Sequence, residues 1–574
     1  MARRPGTQRV LAVARGDEPA DLLLHGGRVF VPQTREWLEV DLAIADGLVA
    51  GWGARDAREV VDLAGAAVTP AFIDAHMHLE STKLWVDEFV RTVLPHGTTA
   101  VAADPHEIAN VFGVQGVTAL AEAGARLPFT FGVCASSCVP ASPFESAGAR
   151  VGVPELEELL ELGSIGVAEV MNFPAVIAGD AEFRAKIAAA GKRRVDGHAP
   201  GVRGPALDAY LAAGIESDHE STGLDEINEK RRKGMWVFVR QGSASQNLRV
   251  LIPSIIEHGT DRAAFCTDDR EPDTIRELGH VNDCVRLAVQ EGLAPEDALV
   301  LATANAAAYH GFHHLGSLGP GYQADMLAFD DLASWEPARV WVAGRLVARD
   351  GAVVPGAVPD APAPAWMLRS MHLQSRPSPE QLDLPAPTSG RARVIGVSSG
   401  SLMSEALIVD PRDPSVDIAR VAVLERHHRT GRIGLGFVSG FGLQRGAMAS
   451  TVGHDAHNCM VVGARDNGGP RDMAIAVARL AELQGGQVAV LGGEVIGEAA
   501  LPIGGLMSDR PAAEVAGGLV RLVAITGERL GVTLAAPFMQ LSFLGLSVIP
   551  QLRLTDQGLV DVDAFALTSL DAGD

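Results

Sequence analysis

Two histidines separated by a single residue, His76 and His78, stand at the end of a predicted strand. In a strand, residues i and i+2 point to the same side, so both imidazoles can reach one metal ion. The pair alone is weak evidence, because two polar residues in a loop would give the same pattern. Four further side chains that can bind metals stand at the ends of later predicted strands: Glu169, His198, His219 and Asp268.

Strands that alternate with helices must position these side chains. The predicted strands are 66–78, 98–104, 129–137, 164–170, 192–199, 215–220, 235–240 and 262–269, and helical patterns such as 154–163 and 181–191 separate them. Eight strand–helix units in about 240 residues predict an α/β fold of the (β/α)8 TIM-like barrel type. An open doubly wound sheet is the alternative, but its glycine-rich first turn does not follow the first strand. Barrel active sites form at the carboxyl ends of the strands, where these six side chains fall.

Short strands with glycine turns flank the barrel segment on both sides, and we predict that they pair into one β-sandwich. A proline-rich segment and a mixed α/β region follow. The predicted divisions are 1–68 and 316–358 for the sandwich, 69–315 for the barrel, 359–388 for a linker and 389–574 for a C-terminal domain.

Composition limits the classes of partner. Lysine and arginine number 48 against 71 aspartate and glutamate residues, a net charge of −23. A chain with this much negative charge repels polyanions. Nucleic acid and anionic membranes are therefore not expected partners. The five cysteines form no CxxC pair, which argues against a disulfide framework and fits a reducing compartment. No apolar run reaches the length of a signal peptide or a membrane span, so we predict a cytoplasmic protein.

Longer motifs narrow the interpretation. They are ADPHEIANVFG at 103–113, AEVMNFPAV at 168–176, DGHAPGVRG at 196–204, SDHES at 217–221, FCTDDR at 265–270, VGHDAHN at 452–458 and LPIGGLMSD at 501–509. The arrangement of ligands on the strands resembles the amidohydrolase superfamily, with Glu169 where many members carry a carboxylated lysine. Together the motifs are similar to the bacterial adenine deaminase family, and the resemblance covers nearly the whole chain.

This resemblance implies hydrolysis of adenine to hypoxanthine and ammonia, a step of purine salvage. It implies two divalent metal ions per subunit, Mn²⁺ or Fe²⁺, with Glu169 as the bridge. One ion would be held by His76, His78 and Asp268, and the other by His198 and His219. Such an ion lowers the pKa of bound water from about 16 toward about 7. Asp268 is then the expected proton acceptor and donor.

Other side chains are candidates for substrate contact, and each has a structural alternative. Asp104, His106 and Glu107 follow the second strand, where they either contact substrate, support the metal ligands from behind, or form a solvated loop. Arg240 ends the seventh strand and either binds a purine edge or pairs with a carboxylate. His454, Asp455 and His457 lie outside the barrel, where they either bind an extra metal, cap the site or close a turn. Asp269 should point away from Asp268 and is predicted to be structural.

The chain departs from the family pattern at three places: Pro70-Ala71 replaces Pro-Gly, strand seven ends in Arg240-Gln241-Gly242-Ser243 where a glutamate is common, and Glu271 stands where histidine is common. The nearest alternative is an amidohydrolase of cyclic amides or dipeptides, such as a dihydroorotase or an isoaspartyl dipeptidase. Those enzymes act on acidic substrates and should carry a basic clamp. The non-enzyme alternative is a catalytically inactive barrel that serves as a scaffold. Such a protein should have lost metal ligands, and none is missing from this sequence. A homo-oligomer is expected because large cytosolic enzymes commonly form one.

Overall fold

The computed structural model describes residues 5–385, 387–399, 403–466 and 468–573. The chain begins with the helix Gln8–Arg15 and a four-stranded sheet, whose order is Leu48–Trp52, Leu42–Ala45, Ala20–His25 and Ala57–Asp62. A seven-stranded sheet packs against it, in the order Ala352–Val353, Arg345–Arg349, Arg339–Val342, Met326–Phe329, Ala67–Pro70, Arg28–Val31 and Glu36–Glu39. Leu24, Ile44, Val68 and Trp341 from the two sheets share one apolar core. Segments from before and after residues 72–315 therefore build one layered pair of sheets.

The predicted strand 66–78 is in fact two strands, Ala67–Pro70 and Phe72–Met77. The backbone N–H of Ala71 donates to the carbonyl of Asp325 in the seven-stranded sheet, at 3.0 Å. The next N–H, of Phe72, donates to the carbonyl of Gly97 beside the parallel strands, at 3.0 Å. The chain changes partners within one residue, so the prediction of a single strand is wrong at this point.

Eight strands follow one another in chain order, and each pair of neighbours except the fifth and sixth is joined by parallel pairing. They are Phe72–Met77, Thr98–Ala103, Thr130–Val133, Gly166–Val170, Arg194–Gly197, Ser217–Asp218, Trp236–Arg240 and Ala263–Cys266. Regular ladders join strands one to three, four to five, and six to eight. A parallel bridge from Ala135 to Val167 joins the third strand to the fourth, and one from Met77 to Asp268 joins the eighth strand to the first. We call these strands and their helices the parallel-strand unit.

Helices connect the parallel strands, and the last four follow the eighth strand. They are Val86–Val93, His106–Gly124, Val153–Glu161, Phe173–Ala178, Ala181–Ala189, Gly204–Ala212, Leu224–Arg232, Leu248–His258, Pro272–Leu278, Val281–Gln290, Pro295–Val300 and Ala306–His310. Local signals set their ends: the Asp180 carboxylate accepts from the N–H groups of Glu182 and Phe183, which caps the helix that begins at Ala181. Their apolar faces cover the strands and share one large core. The strand ends are therefore rigidly supported.

The last part of the chain, which we call the C-terminal unit, contains an eight-stranded sheet. Its order is Glu405–Val409, Ala392–Gly396, Ile433–Ser439, Ala419–Leu424, Cys459–Ala464, Ala447–Ser450, Gly486–Leu491 and Glu494–Ala500. The helix Gly469–Leu483 packs on one side of it. The helices Ala512–Ile525 and Pro537–Phe543 follow, and the strands Leu552–Thr555, Gly558–Asp561 and Ala566–Thr568 form a small sheet beside them. This is the mixed α/β content predicted from the sequence.

The proline-rich segment 359–388 packs against both neighbours where it is described. The indole N–H of Trp85 donates to the carbonyl of Ala361 at 2.7 Å, and Arg426 donates to the carbonyl of Ser370 at 3.0 Å. Met367 and Leu382 are fully buried. The predicted linker therefore contributes packing between the two units as well as connecting them. Among the described residues, every helix is too short or too polar to cross a membrane.

Candidate active site

Backbone and carboxylate contacts lock the first and eighth parallel strands together at their carboxyl ends. The buried Asp74 carboxylate accepts from the N–H of His76 at 3.2 Å and from the hydroxyl of Thr267 at 2.6 Å. The N–H of Asp268 donates to the carbonyl of His76, and the N–H of His78 donates to the carbonyl of Asp268. Asp268 has a φ of 56°, a left-handed conformation that residues other than glycine adopt mainly at constrained sites. The metal-capable side chains on these strands are therefore held in one arrangement.

Glu169 faces two different groups of histidines with its two oxygens. Its Oε2 lies 2.7 Å from His198 Nδ1 and 3.2 Å from His219 Nε2. Its Oε1 lies 3.4 Å from His78 Nε2, and that nitrogen is 3.1 Å from Asp268 Oδ1. His76 Nε2 lies 3.6 Å from the same aspartate oxygen. One carboxylate therefore stands between two groups of ligand atoms.

The residues at these strand ends fit divalent metal ions. His76 Nε2 is buried and has no hydrogen-bond partner among the described residues. The potential ligand atoms of His76, His78 and Asp268 all lie within 4.8 Å of one another, as do those of His76, Glu169 and His219. Mixed imidazole and carboxylate donors suit divalent first-row transition metals.

Electrostatics keep the carboxylates of this site ionised. Burial alone would raise the pKa of Asp268, but the Arg240 guanidinium and the neighbouring imidazoles hold it well below its usual range. Burial also acts to raise the pKa of Glu169, and His198 and His219 overcome it. For His219, burial lowers the pKa, but Glu169 outweighs it and raises the pKa to about 9. In the metal-free protein the imidazole is protonated near neutral pH, so metal binding must release protons.

Asp104 orients metal-capable side chains and does not line the cavity between the strand ends and the C-terminal unit. Its carbonyl oxygen lies 3.0 Å from His78 Nδ1, which leaves the Nε2 of that ring free for a metal. Its carboxylate accepts from the backbone N–H groups of His106, at 3.1 Å, and of Glu169, at 3.2 Å. The sequence left substrate contact, support of the ligands and a solvated loop open here, and for Asp104 the structure has the buried support.

Arg240 is engaged by two carboxylates. Its Nη1 donates to Asp268 Oδ2 at 2.7 Å, and its Nη2 donates to Glu220 Oε2 at 3.0 Å. The sequence predicted that Arg240 either binds a purine edge or pairs with a carboxylate, and the structure has the pairing with carboxylates.

Sequence reasoning missed Glu220. The sixth strand is only Ser217–Asp218, so His219 and Glu220 lie beyond it and both reach the site. The sequence did carry a signal for Glu220, because it directly follows His219 in the SDHES motif.

Replacing Arg240 with methionine is expected to destabilise the metal-free protein by about 3–5 kcal/mol, because it leaves two buried carboxylates without their cation. Chemical unfolding of the metal-free protein measures this. The matched control is Arg249→Met, which removes an exposed pair with Glu291 and should change stability by less than about 1 kcal/mol. Equal stability of the two variants would contradict this assignment for Arg240.

The C-terminal unit brings three of the predicted residues to the parallel strands. His454 Nδ1 lies 3.7 Å from Glu107 Oε1, and His457 Nε2 lies 3.9 Å from Glu107 Oε2. Asp455 Oδ1 lies 3.7 Å from His106 Nε2. These side chains occupy the loop between the strands Ala447–Ser450 and Cys459–Ala464. The sequence left an extra metal, a cap and a closed turn open, and the loop contacts residues that follow the second parallel strand.

Arg426 supports this loop from behind. Its buried guanidinium donates to the carbonyls of His457, Ser370 and Gly504, the last two at 3.0 and 2.9 Å. Burial lowers the pKa of Arg426 to about 10, so it remains a cation at neutral pH. One side chain thus ties together the HDAHN loop, the proline-rich segment and the LPIGGLMSD motif.

A catalytic cavity lies between the two units. Its polar wall includes Glu169, Asp268, His106, Glu107, His454 and Asp455, and its apolar wall includes Met171, Phe543, Leu546 and Ile549. Asp269 also lines it and accepts a hydrogen bond from Ser81, so the prediction that Asp269 points away is wrong. The strand ends at Cys266, so the alternation assumed for a strand does not extend to Asp269. The cavity pairs ionisable groups with an apolar face, as small-molecule sites commonly do.

Comparison with known proteins gives the class first. Residues 67–347 match the amidohydrolase family, whose fold is a TIM-like barrel with a metal-dependent site. Residues 399–566 match the adenine deaminase C-terminal domain.

Two full-length relatives narrow the class. The adenine deaminase of Desulfatibacillum aliphaticivorans is 43% identical and aligns over 98% of this chain and 99% of its own length. That of Nitratidesulfovibrio vulgaris strain Hildenborough is 42% identical over 99% of this chain and 100% of its own. The chain belongs to the adenine deaminase family, and the family predicted from the motifs is confirmed.

Proposed function

We propose that this protein hydrolyses adenine to hypoxanthine and ammonia. The observation that carries the proposal is the Glu169 carboxylate, with one oxygen toward His78 and the other toward His198 and His219, beneath a cavity closed by the C-terminal unit. The family relatives named adenine deaminase align over both units, which supports adenine as the substrate.

The proposed metal ligands are His76, His78, Glu169, His198, His219 and Asp268. Two divalent ions held there would activate a water molecule at neutral pH and polarise the purine. The family resemblance favours Mn²⁺ or Fe²⁺. Asp268 takes a proton from the attacking water through Oδ1 and delivers it to a ring nitrogen or to the leaving amine. Arg240, which also donates to Glu220, holds Oδ2, so the carboxylate turns only its other oxygen to the reacting atoms.

Adenine binds with its ring plane against the apolar wall in this proposal. Phe543 stacks on His454, with ring centroids 4.5 Å apart, and prepares a flat surface. The edge of the purine then meets His106, Glu107, His454 and Asp455, which offer both donors and acceptors. Asp104, Arg240 and His457 act through these residues and do not touch the base.

We also propose the predicted divisions: a β-sandwich from 1–68 and 316–358, a closed (β/α)8 barrel over 69–315, a connecting segment over 359–388 and a C-terminal domain over 389–574. The sheet shared by Ala67–Pro70 and Met326–Phe329 supports the sandwich, and the bridge from Met77 to Asp268 supports closure of the barrel. Homo-oligomerisation and a cytoplasmic location stay predictions from the sequence.

Ammonia release by the metal-loaded protein from adenine, guanine and adenosine, with dihydroorotate and a β-aspartyl dipeptide assayed for hydrolysis, tests the function. Adenine should be deaminated, and the two acidic substrates should be untouched. Among the described residues that line the cavity, the one lysine or arginine is Arg240, and its guanidinium is already held by two carboxylates. Turnover of an acidic substrate in place of adenine would overturn the proposal in favour of the alternative hydrolase.

Replacing Asp455 with alanine should weaken adenine recognition while both metals remain bound. A lost hydrogen bond to a charged group is worth about 1.5–3 kcal/mol, or roughly ten- to hundredfold in kcat/KM. Steady-state kinetics with elemental analysis measures both quantities. Asp466→Ala, at an exposed position of the same unit, is the control and should match the parent. Unchanged kcat/KM in the Asp455 variant would contradict a substrate-contacting role.

A further inference from the structure

The apolar wall of the catalytic cavity comes mostly from one short segment of the C-terminal unit. We call residues 543–551 the wall segment, and its apolar lining residues are Phe543, Leu546 and Ile549. The segment begins at the last residue of the helix Pro537–Phe543 and continues as turns to the strand Leu552–Thr555. A helix of seven residues followed by turns is too short to hold its own shape, so other contacts must fix this wall.

Arg553 binds the wall segment near both of its ends. Its Nη1 donates to the carbonyl of Phe543 at 2.8 Å, and its Nε donates to the carbonyl of Ile549 at 2.8 Å. Its Nη2 donates to the carbonyl of Pro550 at 3.0 Å. A guanidinium is planar and presents its donors in a rigid fork, so the three bonds together fix the distance between the two ends of the segment.

Burial makes these contacts of Arg553 strong. The residue is 1% exposed, and burial lowers its pKa to about 9, so the guanidinium is still a cation at neutral pH. A buried cation needs good acceptors, and the carbonyl oxygens of the wall segment supply them. Arg553 does not line the catalytic cavity, so it acts on a ligand there only through the wall segment.

The wall segment contacts neighbours on both sides of the cavity. The Phe543 ring stacks on His454 of the HDAHN loop, with ring centroids 4.5 Å apart. In the middle of the segment, the Ser547 hydroxyl lies 2.6 Å from that of Ser142, which follows the third parallel strand. Ser547 holds the middle and Arg553 holds the ends. Losing Arg553 therefore frees both ends of the wall segment while its middle stays attached.

We propose that Arg553 is a positioning residue for the deamination, which holds Phe543 and Ile549 where they contact the ring of a bound purine. The inference rests on the proposed function, in which adenine lies against this wall. The wall contacts the ring and not the bond that breaks, so it stabilises bound substrate and transition state alike. Losing such contacts raises KM and leaves kcat unchanged.

Arg553→Met tests the proposal in the metal-loaded full-length enzyme, because methionine is unbranched and apolar and removes all three donors. KM for adenine and the inhibition constant of hypoxanthine should both rise by about five- to hundredfold, the effect expected when a base loses an aromatic contact. The kcat at saturating adenine and the metal content should stay at the parental values. A parental KM, or a loss confined to kcat, would overturn the proposal.

Arg393→Met is the matched control. Arg393 Nη1 donates to the carbonyls of Ser569 and Asp571 at 2.9 and 2.7 Å, so it makes the same kind of contact within the same unit. None of these three residues lines the catalytic cavity. KM for adenine should therefore match the parent in Arg393→Met, and a rise equal to that of Arg553→Met would overturn the assignment to the wall segment.

Amide hydrogen exchange provides a readout that does not depend on activity. Exchange should be faster in residues 543–551 of Arg553→Met and parental in the strand Phe72–Met77. Unchanged exchange in the wall segment, or equally faster exchange in both places, would overturn the proposal.

Arg553→Lys decides by the same measurements if Arg553→Met does not fold. It keeps the buried cation on a single nitrogen that cannot span the segment, so KM and exchange should change in the same direction and by less. Parental values in this variant would then overturn the proposal. A parent that makes no ammonia from adenine would refute the proposed function, and the exchange of residues 543–551 would still show whether Arg553 holds the wall segment.

Discussion

Replacing Glu169 with glutamine is expected to remove at least one of two metal equivalents and nearly all adenine turnover. An amide carries no charge and offers one good acceptor oxygen, so it cannot bridge two cations as a carboxylate does. The loss should be large because two histidines lie within 3.2 Å of Glu169 Oε2 and His78 lies 3.4 Å from Oε1. Elemental analysis of the purified variant, beside its rate of ammonia release, measures both effects.

Glu145→Gln is the matched control for this variant. Glu145 is a buried carboxyl that contacts Ser142 and Ser547, and burial raises its pKa to about 8. It is therefore neutral at pH 7, and an amide should replace it with little effect. A Glu169→Gln enzyme with full metal content and parental turnover would contradict the assignment of Glu169 as the bridge between two metals.

Replacing Asp268 with asparagine is expected to lower kcat for adenine by several orders of magnitude. Loss of a general acid–base contributes about 10²–10⁴-fold, and a weaker metal site adds to it. Elemental analysis separates the two contributions, because kcat per bound metal pair reports the proton transfer alone.

Asp269→Asn is the comparison for this variant, since the neighbouring carboxylate lines the same cavity without contacting the proposed ligands of the first metal. Its effect on kcat should be much smaller. If Asp268→Asn retains turnover within about tenfold of the parent, the residue is not the base. Glu107, which lines the same cavity, would then be the candidate.

Much of the strand arrangement could be predicted from the sequence, because most of the parallel strands contain a short apolar run, and metal-capable residues follow several of them. Glu169 lies at the end of such a run in the strand Gly166–Val170, and His198 follows the strand Arg194–Gly197. Such runs are local signals, and the parallel order follows from their alternation with helices. The strand ends that carry the proposed metal ligands could therefore be assigned from the sequence alone.

The break at Ala71 could not be predicted, because its cause is not local. The hydrogen-bond partners of residues 71 and 72 are Asp325 and Gly97, which belong to different sheets. The pattern of apolar residues runs through this point unchanged. Only the pairing of distant segments decides where one strand ends and the next begins.

The positions of the site residues at strand ends were predicted better than the contacts that their side chains make. Arg240 was identified at a strand end, but its pairing with Glu220 depends on how the short sixth strand ends. The contact of Asp455 with His106 joins residues about 350 positions apart in the chain. The HDAHN motif marked the loop as unusual, and only the packing of the two units gives it a place beside the cavity.

The most direct test of the central claim is to incubate the metal-loaded protein with adenine in oxygen-18 water and to measure both products. Hydrolytic deamination predicts hypoxanthine that carries the heavy oxygen, together with an equal amount of ammonia. Removal of the metal by a chelator should abolish both products, and restoring the metal should recover them. Unlabelled hypoxanthine, unequal products, or no product from the fully metal-loaded protein would contradict the account.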